Sequence, residues 1–277
     1  MKIQYLGSAA SEGWPALFCH CDACRKAREL GGKNIRTRSQ AIVDDCLLLD
    51  FPPDAYSHML RENLDFGGIQ TLLVTHSHSD HFYPLDLVMR MAPYAYQQGA
   101  PSLTVYGDNK VEQLYLQAIE EENCPALNEA LHFQRLSPFE TFQTAEGYTV
   151  TSLEARHGLP EEECLLYLIE KDGKTLFYSH DTGLYPEETW KALEGRHLDF
   201  VSLDCTGLFG GAGGSHMSVS DNRLVKQRLT EMGCADENTR FAINHFSHNG
   251  KLMHDEITER VREDGFLVSY DGLSVTF

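Results

Sequence analysis

Seven consecutive residues, Thr75-His76-Ser77-His78-Ser79-Asp80-His81, contain three imidazoles and a carboxylate. So dense a set of ligand atoms suits neither a core nor an ordinary surface turn. It follows the apolar stretch Ile69–Val74, which reads as a strand. A loop leaving the C-terminal end of a strand can aim side chains in two directions. His76 and His78 can then grip one metal ion while Asp80 and His81 grip a second. A second constellation is Cys19-His20-Cys21-Asp22-Ala23-Cys24, with three thiols in six residues. It reads as a metal site or a redox motif, and tetrahedral zinc would require a fourth ligand from elsewhere. The remaining cysteines, Cys46, Cys124, Cys164, Cys205 and Cys234, stand singly and are expected to be buried free thiols.

The elements that must carry these residues are legible as alternating patterns. Apolar β-rich segments fall at Lys2–Leu6, Cys46–Phe51, Gln70–Thr75, Ser102–Tyr106, Tyr148–Glu154, Cys164–Glu170, Thr175–Ser179, Phe200–Leu203, Arg240–Ile243 and Ser274–Phe277. Helical periodicity marks Pro53–Glu62, Lys110–Glu122, Pro186–Leu193, Ser218–Met232 and Lys251–Glu263. Asp108 and Ser218 stand where N-caps belong, Pro186 suits a first helical turn, and Asp172-Gly173 signals a two-residue hairpin. No repeat, linker or low-complexity tract divides the chain, so residues 1–277 are expected to form a single domain of two mixed sheets with helices outside.

Composition narrows the class. The chain has 277 residues, 42% of them hydrophobic, and a formal net charge of −18. That charge argues against nucleic acid or an anionic membrane as the main partner, since both reward positive surface. It leaves room for a small anionic substrate, because bound cations invert the local field. There is no apolar leader at the N-terminus and no run of eighteen apolar residues, so the expectation is a cytoplasmic protein. The acidic runs Glu120–Glu122 and Glu161–Glu163 read as solvated surface.

The His-x-His-x-Asp-His run after a strand resembles the signature of the metallo-β-lactamase superfamily. The resemblance can be followed along nearly the whole chain and implies an α+β fold, a four-layer αβ/βα sandwich. It also implies a further histidine, met by His157 in Glu-Ala-Arg-His-Gly, a bridging aspartate, met by Asp181 in Tyr-Ser-His-Asp-Thr-Gly, and a last histidine, met by His245 in Ile-Asn-His-Phe-Ser-His. On this reading His76, His78 and His157 hold one metal, Asp80, His81 and His245 hold the other, and Asp181 bridges them. Two such cations about 3.5–4 Å apart share a hydroxide as nucleophile and clamp the attacked and leaving oxygens. The ligands suit Zn, Mn or Fe. His248, three residues past His245, can supply the fourth ligand to Cys19, Cys21 and Cys24, making a structural zinc. That cluster, within the N-terminal stretch Leu6–Arg28, resembles the PhnP-like phosphodiesterase branch, and pyrroloquinoline-quinone biosynthesis proteins carry a similar one.

The resemblance further implies a non-ligand histidine near the metals, assigned to His216 in Gly-Gly-Ser-His-Met-Ser, which would bind a phosphoryl oxygen or protonate the leaving group, paired with Asp80. The glycine-rich Gly207–Gly214 before it reads either as a segment that lets backbone approach a substrate or as a mobile loop. Asp204 reads either as a carboxylate that orients a ligand histidine or as a turn residue, His180 as a packed residue or an outer contact to the site, with packing favoured, and His20 as solvent-facing or as a substitute for His248 in the cysteine cluster. His58, His132, His197 and His254 are read as structural or exposed. The expected function is hydrolysis of a small or cyclic phosphodiester. A lactone or thioester hydrolase and an RNA 3′-processing endonuclease are the alternatives, the last disfavoured by the missing basic exosite. Relatives near this branch are often homodimers, which makes a homodimer an expectation here too.

Overall fold

The computed structural model describes residues 1–96, 99–122, 127–158, 160–211 and 214–277. Cys124, and Ala212 and Gly213 of the glycine-rich stretch, lie outside the described residues. Two seven-stranded sheets carry the chain. The first contains β1 (Lys2–Gly7), β2 (Gln40–Val43), β3 (Leu47–Leu49), β4 (Thr71–Leu73), β5 (Leu103–Gly107), β6 (Leu131–Arg135) and, on the far edge beside β1, β14 (Ser274–Thr276). The second runs β7 (Thr141–Gln143), β8 (Thr149–Glu154), β9 (Leu165–Lys171), β10 (Lys174–Ser179), β11 (Phe200–Asp204), β12 (Arg240–Asn244) and β13 (Phe266–Val268), in neighbour order. The helices are α1 (Asp22–Leu30), α2 (Ala55–Glu62), α3 (Asn109–Glu122), α4 (Leu127–Ala130), α5 (Glu187–Leu193), α6 (Val219–Glu231) and α7 (His254–Arg260).

Strand alternation builds the layers. Leu47 and Leu49 point inward with Ile3, Tyr5 and Leu73, meeting Val150, Tyr167, Ile169, Leu176 and Tyr178 from the second sheet. Leu48 points the other way, with Leu6, Ile42, Leu72 and Val105, onto Ala55 of α2 and Val111 and Tyr115 of α3. The outer face of the second sheet (Leu166, Leu168, Phe177, Val201, Leu203, Ile243) packs on Trp190 of α5, Val225 and Leu229 of α6 and Ile257 of α7. The result is the expected helix–sheet–sheet–helix sandwich. Burying each large side chain in these layers is worth about 1.5–3 kcal/mol.

Local signals act as their chemistry dictates. Asp172 and Gly173 take φ of 51° and 73°, the backbone of a two-residue primed turn, and pair Lys171 with Lys174 across the β9–β10 hairpin. Ser218 caps α6 in a reciprocal box with Asp221, and Asp108 Oδ1 accepts the Lys110 and Val111 amides at the start of α3. Four strands and two helices escaped the sequence reading. Strands β2, β6, β7 and β13 are short, and β6 and β7 are largely exposed, so their hydrophobic period is weak. Helix α1 begins at the cysteine cluster, where Cys21 Sγ itself accepts the Cys24 amide as N-cap; α4 is four residues long. The helix expected over Lys251–Glu263 contracts to α7, because residues 248–250 form a separate 3-10 turn ending at Lys251 with φ 62°.

Parallel pairing of β3 with β4, of β10 with β11 and of β11 with β12 sends their C-terminal ends to one edge of the sandwich. The two sheets are tied together there, because the Leu165 amide donates to Thr75 O at 2.8 Å and the Tyr167 hydroxyl to Val74 O at 2.6 Å. Of the single cysteines, Cys164, Cys205 and Cys234 are buried free thiols as expected, whereas Cys46 is half-buried.

Candidate metal centre

Six strand ends converge on this edge: β3 delivers Asp50, β4 the loop His76–His81, β8 His157, β10 Asp181, β11 Asp204 and β12 His245. Asp50, Asp181 and His245 leave their strands with φ of 63°, 51° and 64°. Left-handed backbone at three non-glycine positions costs energy, and here it turns each functional side chain toward one point.

The ring nitrogens of the first set crowd together. His76 Nε2 lies 2.9 Å and His157 Nε2 3.2 Å from His78 Nδ1. One ring nitrogen offers a single proton or a single lone pair, so it cannot satisfy two others. In the second set His81 Nε2 is 3.1 Å from His245 Nε2 and 3.3 Å from Asp80 Oδ2. One oxygen joins the sets: Asp181 Oδ2 is 3.3 Å from His76 Nε2, 3.1 Å from His81 Nε2 and 3.6 Å from His245 Nε2. The other, Oδ1, is buried 2.8 Å from His216 Nδ1 and 3.5 Å from His157 Nδ1. Ring nitrogens that converge without protons to share, around one carboxylate oxygen common to both sets, are what a pair of divalent cations satisfies, so the residues fit the group.

Electrostatics agree. Burial pushes Asp181 up, but the His245 charge and the contacts from His216, His76 and His81 outweigh it, holding the carboxyl well below its ordinary range. Asp80 is likewise held low, with burial opposed by His81. Burial and the His81 charge bring His76 down to about 4, and burial lowers His157, so both imidazoles stay neutral and able to ligate.

Outer contacts set the tautomers. His81 Nδ1 donates to Asp50 Oδ2 at 2.8 Å, and His157 Nδ1 to Ser215 O at 3.1 Å, which leaves each Nε2 free. His245 Nδ1 faces Thr206 Oγ1 at 2.8 Å and Asp204 Oδ2 at 3.4 Å, so Asp204 orients a histidine and is more than a turn residue. Asp50, Thr206 and Ser215 were missed by the sequence reading. An acidic residue closing the Leu47–Leu49 strand was the one available signal for Asp50.

His216 is brought to the site, half-buried, with Nδ1 2.8 Å from Asp181 Oδ1 and 3.5 Å from Asp204 Oδ2. The expected pairing with Asp80 gives way to these two carboxylates because the last residue of β11, Asp204, lies under the His216 loop, where it also accepts the Met217 amide. Against the cost of burial, the two carboxylates push the imidazole up to about 10; a cation shared by Asp181 would weaken that push. His180 is buried, stacked on Tyr5 and hydrogen-bonded to Ser202, and takes no part in the cluster. His58 and His254 are buried in structural networks, while His20, His132 and His197 are exposed.

The second constellation also assembles. The Sγ atoms of Cys19, Cys21 and Cys24 lie 3.8, 3.4 and 3.5 Å from His248 Nδ1. Tetrahedral zinc with ordinary Zn–S and Zn–N bonds requires S···N edges of about 3.6 Å, so these four residues fit that ion.

The family described as Beta-lactamase superfamily domain matches residues 47–246, the span that holds both histidine sets. The chain belongs to the metallo-β-lactamase superfamily. Among solved structures, this superfamily member is similar to a diphosphatase of the PhnP family, with TM-score 0.75 and 23% identity over 100% of this chain and 97% of that one. It is also similar to Zn(2+)-bound PqqB from Methylobacterium extorquens, with TM-score 0.69 and 19% identity over 100% of each chain. Among curated proteins, an octanoyltransferase of Porphyromonas gingivalis is 38% identical over 92 residues, 31% of this chain and 17% of that protein. Ribonuclease Z of a Picosynechococcus species is 28% identical over 158 residues, 57% of this chain and 44% of its own length. The chain thus spans less than half the length of these curated relatives.

Proposed function

We propose that the protein hydrolyses a small or cyclic phosphodiester at a two-metal centre. The observation that supports this reading best is the single Asp181 oxygen within reach of both histidine sets. His76, His78 and His157 would hold one divalent cation, Zn or Mn, and Asp80, His81 and His245 the other, with Asp181 between. Such a pair supplies Lewis acidity to a phosphoryl oxygen and makes water acidic enough to attack near neutral pH. The chain's own residues supply the rest. Asp50 and Asp204 hold His81 and His245 in their ligating orientation. His216, anchored at Nδ1 by Asp181 and Asp204, faces a cavity and offers a hydrogen bond to a phosphoryl oxygen or to the departing oxygen. Cys19, Cys21, Cys24 and His248 would hold a structural zinc that pins residues 19–24 beside the His245 loop. Likeness to the PhnP-family diphosphatase supports phosphoester chemistry.

A second reading, RNA 3′-end processing, is favoured by the likeness to Ribonuclease Z. A net charge of −18 weighs against binding an RNA backbone.

Metal analysis and turnover of bis(p-nitrophenyl) phosphate test the proposal. About three metals per chain are expected, with turnover abolished in Asp80→Ala. Cys21→Ser should lose one metal and retain the active pair. Three metals without diesterase activity would sink the substrate class and turn attention to lactones and thioesters. Cleavage of a precursor transfer RNA in preference to small diesters would favour the second reading.

A further inference from the structure

A cavity of about 340 Å³ opens beside His216, lined by Arg156, Leu184, Ser218, Ser220 and Asp221 together with glycine backbone. Arg156 immediately precedes His157. Its backbone is clamped from both sides, its amide donating to Thr182 Oγ1 at 2.8 Å and its carbonyl accepting from the Gly183 amide at 3.1 Å. The side chain is exposed, and among the described residues its guanidinium has no hydrogen bond or ion pair. That is unusual in a chain with 41 acidic and 23 basic residues, where most other arginines are taken by carboxylates or carbonyls. The acid on the cavity wall, Asp221, is already engaged, because Oδ2 accepts the Ser218 amide and hydroxyl at 2.8 and 2.6 Å. Ser218, Ser220 and Asp221 come from the N-cap and first turn of α6, with Ser220 Oγ 2.7 Å from Ser218 Oγ.

A planar cation without a partner among the described residues, one residue from His157 and lining the same cavity as His216, is suited to clamp an anion. We propose that Arg156 is a specificity-determining residue. It would grip a second anionic group, a carboxylate or phosphate, carried by the substrate beyond the phosphoryl group that sits at the metals. This rests on the metal-centre reading above and names the substrate class: a phosphoester with two separated anions. Leu184, which also lines the cavity, would cover the apolar linker between them.

The test uses the metal-loaded protein and two ligands that cannot be hydrolysed, methylphosphonate and 3-phosphonopropionate, which differ by a carboxylate arm. Calorimetric Kd values are expected to favour 3-phosphonopropionate roughly ten-fold or more, the scale of one charge-assisted contact. That ratio should fall to near one in Arg156→Ala and return in part in Arg156→Lys. If the ratio survives in Arg156→Ala, the carboxylate sits on the metals and the proposal is overturned. A parallel kinetic series compares methyl p-nitrophenyl phosphate with its carboxymethyl and 2-phosphoethyl analogues, so that carboxylate and phosphate are separated as the second anion. An Arg156-dependent Kd ratio with no turnover of any of these diesters would uphold the clamp and overturn the phosphodiesterase reading. Turnover of the methyl ester with no preference dependent on Arg156 would do the reverse.

Discussion

Asp50 is fully buried behind the candidate metal centre, and the orientation of His81 hangs on it. Its Oδ2 accepts from His81 Nδ1 and its Oδ1 accepts the Thr75 amide and hydroxyl, at 2.8 and 2.9 Å, so one buried carboxylate fixes the His81 ring and the root of the His76–His81 loop. Asp50→Asn keeps the shape and swaps an acceptor for a donor. We expect a 10- to 100-fold loss in affinity for the cation of the His81 set, in line with other outer-partner substitutions, with the His76 set still loaded. Metal titration followed by mass spectrometry reads both. A different residue carries a pH effect. His254 Nδ1 accepts from Arg36 Nη2 at 3.2 Å, and burial together with the Arg36 and Lys33 charges lowers its pKa to about 4. The unfolded imidazole titrates near about 6.5, so between those values the unfolded chain binds the extra proton. The contribution is present in full above about pH 6.5 and declines as pH falls toward 4, by up to about 3 kcal/mol. Urea unfolding at pH 7.5 and 4.5 should show this slope, and His254→Gln should flatten it. An unchanged slope would remove His254 as its source.

At the scale of elements, the decisive feature is how closely the turn after β10 packs on the His216 loop. A Cβ on Gly183 would lie 2.0 Å from the Gly214 carbonyl oxygen, so no larger residue fits without moving one loop. Asp181 and His216 belong to those two loops and meet at 2.8 Å. Gly183→Ala is expected to destabilise by about 1–3 kcal/mol, as overpacking does, and to lower kcat more than ten-fold by separating that pair. Thermal melts and initial rates measured together distinguish this from simple unfolding. The N-cap of α6 gives a milder case. Ser218→Ala removes half of a reciprocal capping box and should cost about 1 kcal/mol, read as a lower denaturant midpoint at unchanged slope.

For the molecule as a whole, the cysteine cluster joins two distant parts of the chain. Residues 19–24 and His248 meet across 224 positions or more, and the Phe246 amide and carbonyl bond to Ser8 O and the Ala10 amide. The zinc proposed there would close a long loop and hold the strand end that presents His245. Cys24→Ser should therefore lose one metal, lower Tm by several degrees and reduce turnover through His245, although Cys24 touches no substrate. Retained turnover and Tm would show the cluster to be dispensable.

The chemistry-bearing residues were legible in the sequence because ligand sets demand rare residue types. Three histidines and an aspartate within six positions, or three cysteines within six, have few other uses, and each marks a strand end or loop that the hydrophobic pattern locates independently. The strong strands and the β9–β10 hairpin were legible for a related reason: alternation and Asp-Gly chemistry are local. What the three-dimensional arrangement alone decided is which carboxylate faces which imidazole. Asp204 rather than Asp80 stands beside His216, Asp50 stands behind His81, and Arg156 has no partner among the described residues. These outcomes depend on distances between loops far apart in the chain, set by sheet register and by the close backbone packing at Gly183. Short edge strands such as β6 and β7 also waited for the fold, since their pairing partners, and not their own half-exposed residues, make them strands.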